Sequence, residues 1–446
     1  MSDRGLRHGG ANRRRQEWWG RRHYTTVRCN VGFKWPLMRS NFAREDFDAV
    51  FNLLTNEPNA NPDCDWDVDV RLTQGDQVRA FEQEFSAWLG VKHSIFVNSG
   101  SSANLLTMAA LHERHPRFSD NRKVLVPCVT WASDITSVLH AGFEPVFVDI
   151  DRRTLGMGGL QVARLVDEKK PAAVFVTHCM GYPGMSVALW NAINDTKTPY
   201  FEDCCEGPGA VIPCYGTEGN QWRKVGTFGL ASNFSFYYAH HMTTVEGGMV
   251  CTDDDVFAAI VRSLRGHGLR REVPAFRDLP KPDDLEPEFI FDYEGYNCRS
   301  TEINAVIGRS QLKRLDEGIE RRRELLSLFL SHIDSDLYQT DFAVEGSSPY
   351  ALTLVLKHDD DVLRHRVRNC LHEQGVETRR GIAGGGNQLR QPYLRRRYGT
   401  MYAEFPNAEH VHWNGWALGL WPTLEPVEVK WICEKLNGLK SGKMVP

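Results

Sequence analysis

Apolar and polar residues alternate between two periods along this chain. In QVRAFEQEFSAWLG (77–90), Val78, Phe81, Phe85 and Leu89 recur at helical spacing, and Gly90 supplies a stop. SIFV (94–97) predicts a short buried strand, and NSGSSANLLTMAALHE (98–113) predicts a helix after it. The alternation repeats with KVLVPCVTW (123–131) as a strand and ASDITSVLHAG (132–142) as a helix ending at Gly142. EPVFVDID (144–151), AAVFVTH (172–178) and PYFEDC (199–204) are further β-branched or aromatic runs. Strands alternating with helices predict an α/β fold with a mostly parallel sheet covered on both faces. Working residues in such sheets lie just past the carboxyl ends of the strands.

The pattern changes after residue 270. RREVPAFRDLPKPDDLEPEFIFD (270–292) is charged, holds four prolines and reads as a linker or surface crossing. A helical stretch follows from 300 to 333, with Ile303, Ile307, Leu312 and Leu315 apolar at near-helical spacing. YALTLVLK (350–357) predicts a strand and DDVLRHRVRNCLHEQG (360–375) a helix. The expected organisation is a large domain over 35–275, with a helical segment at its start, and a smaller C-terminal α+β domain over 276–446.

Residues 1–34 stand apart. The first 28 hold eight arginines against Asp3 and Glu17, which reads as a disordered basic extension and stays out of the fold. The chain of 446 residues is 41% hydrophobic and 25% charged, enough for a large core. Its net charge of −4 argues against a nucleic-acid partner. No apolar run approaches the roughly eighteen residues of a membrane helix, so no membrane role is expected. Eleven cysteines occur without a CxxC pair or zinc-ligand spacing. Reduced thiols and a cytoplasmic location are the expectation, with no metal site.

Four stations carry candidate chemistry. Asn98 to Asn104 turn a strand into a helix, and helix amides with small hydroxyl residues suit an anion such as phosphate; a plain helix cap is the bland alternative. Trp131 ends a strand, where a flat ring can stack on a planar cofactor or simply pack at the rim. Asp203 ends another buried strand, a costly place for an acid without a partner. A protonated ring nitrogen is one such partner, and pyridoxal phosphate needs a carboxylate there to act as an electron sink. The fourth is FSFYYAHHMTTVEGG (234–248): Ser235 suits a phosphate, and His240 and His241 are neighbours on a turn. Two adjacent histidines diverge, and no third ligand stands at metal-site spacing.

Taken in order, these blocks resemble the sugar aminotransferase family of pyridoxal-phosphate proteins, of fold type I. LTQGDQVRAFEQEFSAWLGVKHSIFVNSGSSANLL, VPCVTWASDITSVLHAGFEPVFVDID, FEDCCEGPGA, VGTFG, FSFYYAHHMTTVEGGMV and GYNCRSTEINAVIGRSQL carry the resemblance, which runs from about Trp35 to about residue 435. It implies that Ser101, Ser102 and Ser235 hold the phosphate, that Trp131 stacks on the ring and that Asp203 binds its nitrogen. Glu206 would approach the phenolic oxygen. Asn297 would reach the phosphate in a partner subunit's site, which implies a homodimer with shared active sites. His178 reads as a structural neighbour.

One departure bears on activity. The family has a Schiff-base lysine where this chain has His240. Lys224 is the only lysine between 198 and 280, and it precedes VGTFG, read as a strand. An imidazole cannot form an imine, so pyridoxal or pyridoxamine phosphate would be held without a covalent link. A histidine near its neutral pKa can exchange protons. A branch of the family with histidine here removes the C3 hydroxyl of 4-keto-6-deoxy sugars, and SFYYAHHMTT resembles it. One type in the branch uses a GDP-sugar and L-glutamate. Another uses an iron–sulfur cluster, which the widely spaced Cys298, Cys370 and Cys433 disfavour. The expected partners are therefore a nucleotide-sugar, GDP-4-keto-6-deoxymannose, and glutamate. His241 is a candidate substrate contact, and Arg379 and Arg380 read either as contacts to the nucleotide diphosphate or as a solvated basic pair. Asn387, in GGGNQLRQPYL, which resembles the branch's substrate-side segment, is another candidate substrate contact. Two alternatives stay open: an aminotransferase without the lysine, and a dead cofactor- or sugar-binding homologue.

Overall fold

The computed structural model describes residues 34–55, 71–114, 121–213, 221–276 and 279–440. The basic extension read over 1–34 lies outside them except for Lys34. The early helices are α1 (Arg44–Thr55) and α2 (Asp76–Leu89), and α2 stops where Gly90 takes φ of 93°. The strand and helix units follow as β1 (His93–Val97), α3 (Gly100–Arg114), β2 (Lys123–Pro127), α4 (Ala132–His140), β3 (Glu144–Val148), α5 (Gly159–Lys169), β4 (Ala173–Thr177), α6 (Val187–Thr196) and β5 (Tyr200–Asp203). A small ribbon, β6 (Val211–Pro213) and β7 (Trp222–Lys224), precedes β8 (Ala231–Ser235), β9 (Gly248–Thr252) and α7 (Asp255–Arg265). VGTFG (225–229) forms a turn rather than the expected strand. Three of its amides, at Gly226, Phe228 and Gly229, are tied to the buried Glu202 carboxylate, which bends the chain there.

Seven strands join in the order β1-β9-β8-β5-β4-β2-β3. The pairs β8/β5, β5/β4, β4/β2 and β2/β3 are parallel, and β9 runs antiparallel to both neighbours. Strand residues alternate between two apolar layers. Ile95, Val97, Val124, Val126 and Phe175 face one layer, while Phe96, Leu125, Val174 and Val176 face the other. Helix α2 fills the second layer with Val78, Phe81, Phe85 and Leu89, the residues whose spacing predicts it. Both faces are covered, which is why these strands read as unbroken apolar runs.

The later chain adds α8 (Glu302–Leu312), α9 (Leu315–His332), β10 (Leu352–Val355), α10 (Asp361–Glu373), β11 (Thr378–Arg380), α11 (Pro392–Tyr398), α12 (Pro406–Asn414), β12 (Gly415–Leu418) and α13 (Pro426–Asn437). The helical stretch expected over 300–333 forms two helices that part at Lys313 and Arg314. The Arg314 side chain turns there onto the buried Asp46 of α1. Strands β10, β12 and β11 form a separate three-stranded sheet. Contacts cross residue 275 in both directions. Trp35 is fully buried, exchanges backbone hydrogen bonds with Gly375 and Glu377, and donates its indole N–H to Gly419 at 2.8 Å. The chain from Trp35 onward is one unit.

Candidate active site

The carboxyl ends of the large sheet open onto a cavity of about 230 Å³. Ser99, Gly100 and Ser101 reach it from the start of α3, Asp203, Cys205 and Glu206 from the end of β5, and Trp131 from just ahead of α4, since β2 stops at Pro127, short of the expected strand end at 131. The β8–β9 connection contributes Ser235, Tyr237, His240 and Glu246, and the C-terminal part contributes Tyr350 and Arg379. All four stations expected from the sequence therefore meet at one place.

The chain's local chemistry shapes each wall. At Gly100 an added Cβ would lie 2.7 Å from the Ser235 Cβ, so the helix start and the Ser235 hydroxyl crowd into one cradle. At Gly248 a Cβ would come within 2.4 Å of the Ser99 carbonyl, so β9 must carry glycine for that turn to sit where it does. First-turn amides with hydroxyls beside them form an anion-binding corner. Ser102 turns away from the cavity, and both its amide and its hydroxyl meet the Ser99 hydroxyl at 3.0 Å. Trp131 leaves half its surface, 51%, open beside the cavity, which is free ring area for stacking. Asp203 is buried; its Oδ1 accepts from the Cys205 amide at 2.8 Å and its Oδ2 from Asn104 Nδ2 at 2.9 Å.

His240 Nδ1 lies 2.6 Å from the Cys205 carbonyl oxygen. A carbonyl only accepts, so Nδ1 carries the proton and Nε2 keeps its lone pair. Burial pushes the His240 imidazole down to about 4, so it is neutral at physiological pH and Nε2 is free to accept a proton. Its ring centroid is 5.0 Å from that of Tyr350. Asn41 donates to the carbonyls of both His240 and His241, at 3.1 and 3.0 Å, and so clamps the turn. Glu206 accepts from the Met180 amide at 2.8 Å and lies 3.8 Å from Arg379 Nη1. Burial raises its carboxyl above the usual range, opposed by the Arg379 charge. The Arg379 guanidinium sits 5.6 Å from the Trp131 ring centre.

Besides Ser102, four expected contacts lie off the cavity. His241 is buried, with Nε2 on the Ser348 carbonyl at 3.1 Å. Arg380 lies over the Trp413 ring at 5.0 Å. Asn387 is a correction: it is fully buried, donates to Tyr402 and Glu409, and caps a short turn through Leu389, so no polar atom is left for a substrate. Asn297 is exposed and does not line this cavity. His178, Glu202 and Cys204 converge within 4.8 Å, but His178 already hydrogen-bonds Glu202 and Gly184, and Glu202 also holds three backbone amides. Tyr350, Asn41 and Cys205 carried no signal of their own in the sequence. Their positions depend on contacts made far along the chain.

The pattern of the DegT/DnrJ/EryC1/StrS aminotransferase family matches residues 66–437. The chain belongs to that family. Among its members, GDP-4-keto-6-deoxy-D-mannose 3-dehydratase of Yersinia pseudotuberculosis is 32% identical over 398 residues, 87% of this chain and 94% of that protein. A crystal structure of a GDP-4-keto-6-deoxymannose 3-dehydratase variant with bound GDP-perosamine superposes with TM-score 0.76 at 28% identity, covering 90% of this chain and all of that one. Another, with a trapped PLP–glutamate geminal diamine, gives TM-score 0.77 at 28% identity and 90% and 100% coverage. The residues here fit the same cofactor. The α3 cradle suits a phosphate, the open Trp131 face suits a flat ring, and the Asp203 carboxylate suits a protonated ring nitrogen. No lysine lines the cavity among the described residues. Lys224 donates to the Trp88 carbonyl and lies over that indole.

Proposed function

We propose that this family member is a pyridoxamine-phosphate-dependent 3-dehydratase of a nucleotide-activated 4-keto-6-deoxyhexose, GDP-4-keto-6-deoxymannose. The observation that carries the reading is His240, a neutral imidazole with Nε2 unprotonated in a cofactor-shaped cavity that lacks a lysine. When bound, pyridoxamine phosphate supplies an amine and an electron-accepting ring. Ser101, Ser235 and the α3 amides hold its phosphate, with Ser102 supporting that turn through Ser99. Trp131 stacks on the ring, Asp203 holds its nitrogen, and Glu206 meets its phenolic oxygen. His240 Nε2 would accept the proton at C4′ and return one to the C3 hydroxyl, while the Cys205 carbonyl keeps the imidazole oriented. Arg379 at the cavity, with Arg380 beside it, meets the diphosphate.

L-Glutamate returns the cofactor to its amine form. The protein works as a homodimer in the cytoplasm, with Asn297 completing the partner's phosphate site. Exposure of Asn297 away from its own cavity and the eight free described cysteines support these points. The test is the product mass after incubation with pyridoxal phosphate, glutamate and GDP-4-keto-6-deoxymannose. A ketosugar one oxygen lighter, with ammonia released, is expected. An amine in place of the ketone would make the protein an aminotransferase, and inertness toward GDP-, CDP- and dTDP-sugars alike would overturn the reading.

A further inference from the structure

Behind Asp203 lies a second carboxyl that the reaction above does not use. Asp134 sits in the first turn of α4, three residues past Trp131, and is fully buried. The two acids share one amide: Asn104 Nδ2 lies 2.8 Å from Asp134 Oδ1 and 2.9 Å from Asp203 Oδ2. One amide nitrogen within hydrogen-bond reach of both brings the two buried carboxyls together. Two buried like charges this close do not both persist without a cation. No ion pair to a basic side chain reaches either carboxyl among the described residues.

The surroundings say where the proton is. Asp134 Oδ2 is occupied by two hydroxyls, Thr177 Oγ1 at 2.6 Å and Thr130 Oγ1. Among the described residues Asp134 Oδ1 meets only Asn104 Nδ2, so it is the oxygen with room to carry the proton, on the side of Asp203. Asp203 faces the cavity and takes the Cys205 amide as well, while Asp134 has no cavity face. Burial first, and then the Asp203 charge, hold the Asp134 carboxyl well above the usual range. The other titratable groups near it are Cys179 after β4, Cys205 after β5 and Tyr393 in α11. Burial raises the pKa of both thiols, and that of the phenol to about 12, so all three are neutral at ordinary pH.

We infer that Asp134 is a positioning residue: a protonated carboxylic acid that donates to Asp203 and holds that side chain where it would meet the cofactor's ring nitrogen. Thr130, Thr177 and Asn104 are the frame that keeps the acid in this orientation. The pairing of the two acids is independent of the function proposed above; its effect on the cofactor rests on Asp203 holding the ring nitrogen.

Infrared spectroscopy of the full-length protein without cofactor tests the pairing. A carbonyl stretch of a buried, protonated carboxylic acid is expected at neutral pH. It should shift when aspartate carboxyls carry carbon-13, disappear in Asp134→Asn, and survive in Glu206→Gln, since Glu206 is the other cavity acid raised by burial. Loss of the band only in Glu206→Gln, or no shift on aspartate labelling, overturns the proposal, and the labelling arm needs no variant to fold. Cofactor titration tests the consequence. Asp134→Asn keeps a donor toward Asp203 and an acceptor toward the threonines, so its pyridoxal phosphate affinity should stay within about threefold. Asp134→Leu removes both and should bind about tenfold more weakly or more. Equal weakening in the two variants would reduce Asp134 to packing. An intact infrared result with equal affinities in all three proteins would place the failure with Asp203 as ring partner, not with the acid pair.

Discussion

At the scale of single residues, the proposed chemistry rests on one imidazole held by one backbone carbonyl. His240→Asn should lower dehydration by about a hundredfold or more, because the proton carrier is gone. Its affinity for pyridoxal phosphate should change little, since the phosphate cradle, Trp131 and Asp203 are untouched; retained turnover would refute the role. The depressed pKa also fixes a sign. An unfolded imidazole takes a proton near 6.5, whereas buried His240 resists until about 4. Between those values the unfolded chain binds more protons, so stability falls as pH drops through that window and is fully present above it. His412 adds in the same direction, its imidazole also pushed down to about 4 by burial. The thermal midpoint measured from pH 7 downward should fall across this window, and less steeply in His240→Asn.

At the scale of elements, the catalytic turn is set by contacts on both sides. Asn41, ahead of α1, holds the His240 and His241 carbonyls, and its own carbonyl accepts from Arg314 Nη2 at 2.9 Å. Asn41→Ala should cost about 1–2 kcal/mol of stability. It should lower kcat about tenfold with little change in cofactor affinity, because it frees the turn and leaves the cradle alone. The Asp254 cap of α7, which accepts from the Phe257 amide at 2.8 Å, is a contrasting case. Asp254→Ala should cost about 1 kcal/mol and leave turnover per folded molecule unchanged. The two variants separate positioning from stability when kcat and denaturant midpoints are read side by side.

At the scale of the molecule, the proposed shared sites have a consequence that mixing detects. His240→Asn and Asn297→Ala homodimers should each be impaired. Random exchange between them makes half the molecules heterodimers, with one complete site of two, and should restore about a quarter of native activity. No recovery, with exchange verified by mass, would show that Asn297 serves no neighbouring site. No described helix is long and apolar enough to cross a membrane.

Much of this molecule was legible without coordinates, because the information was local. The 3.6-residue spacing of Val78, Phe81, Phe85 and Leu89 and the apolar strand runs are imposed by burial on both faces of one sheet. The stations at Ser101, Trp131, Asp203 and Ser235 follow from the same rule, since each ends a strand or starts a helix at the sheet's carboxyl edge. Packing decided what pattern could not carry. The antiparallel placement of β9 and the pairing of Trp35 with residues 375–377 join segments whose sequences do not announce one another. Asn387 looked available in a glycine-rich stretch, yet its hydrogen bonds to Tyr402 and Glu409 enclose it. The sequence by itself determined which chemical groups stand at strand ends. Only tertiary structure decided that Asn41 clamps His240, that Tyr350 and Arg379 close the cavity, and that Asp134 stands behind Asp203. A hydrogen bond between residues dozens or hundreds of positions apart depends on how whole layers pack, and no local periodicity encodes it.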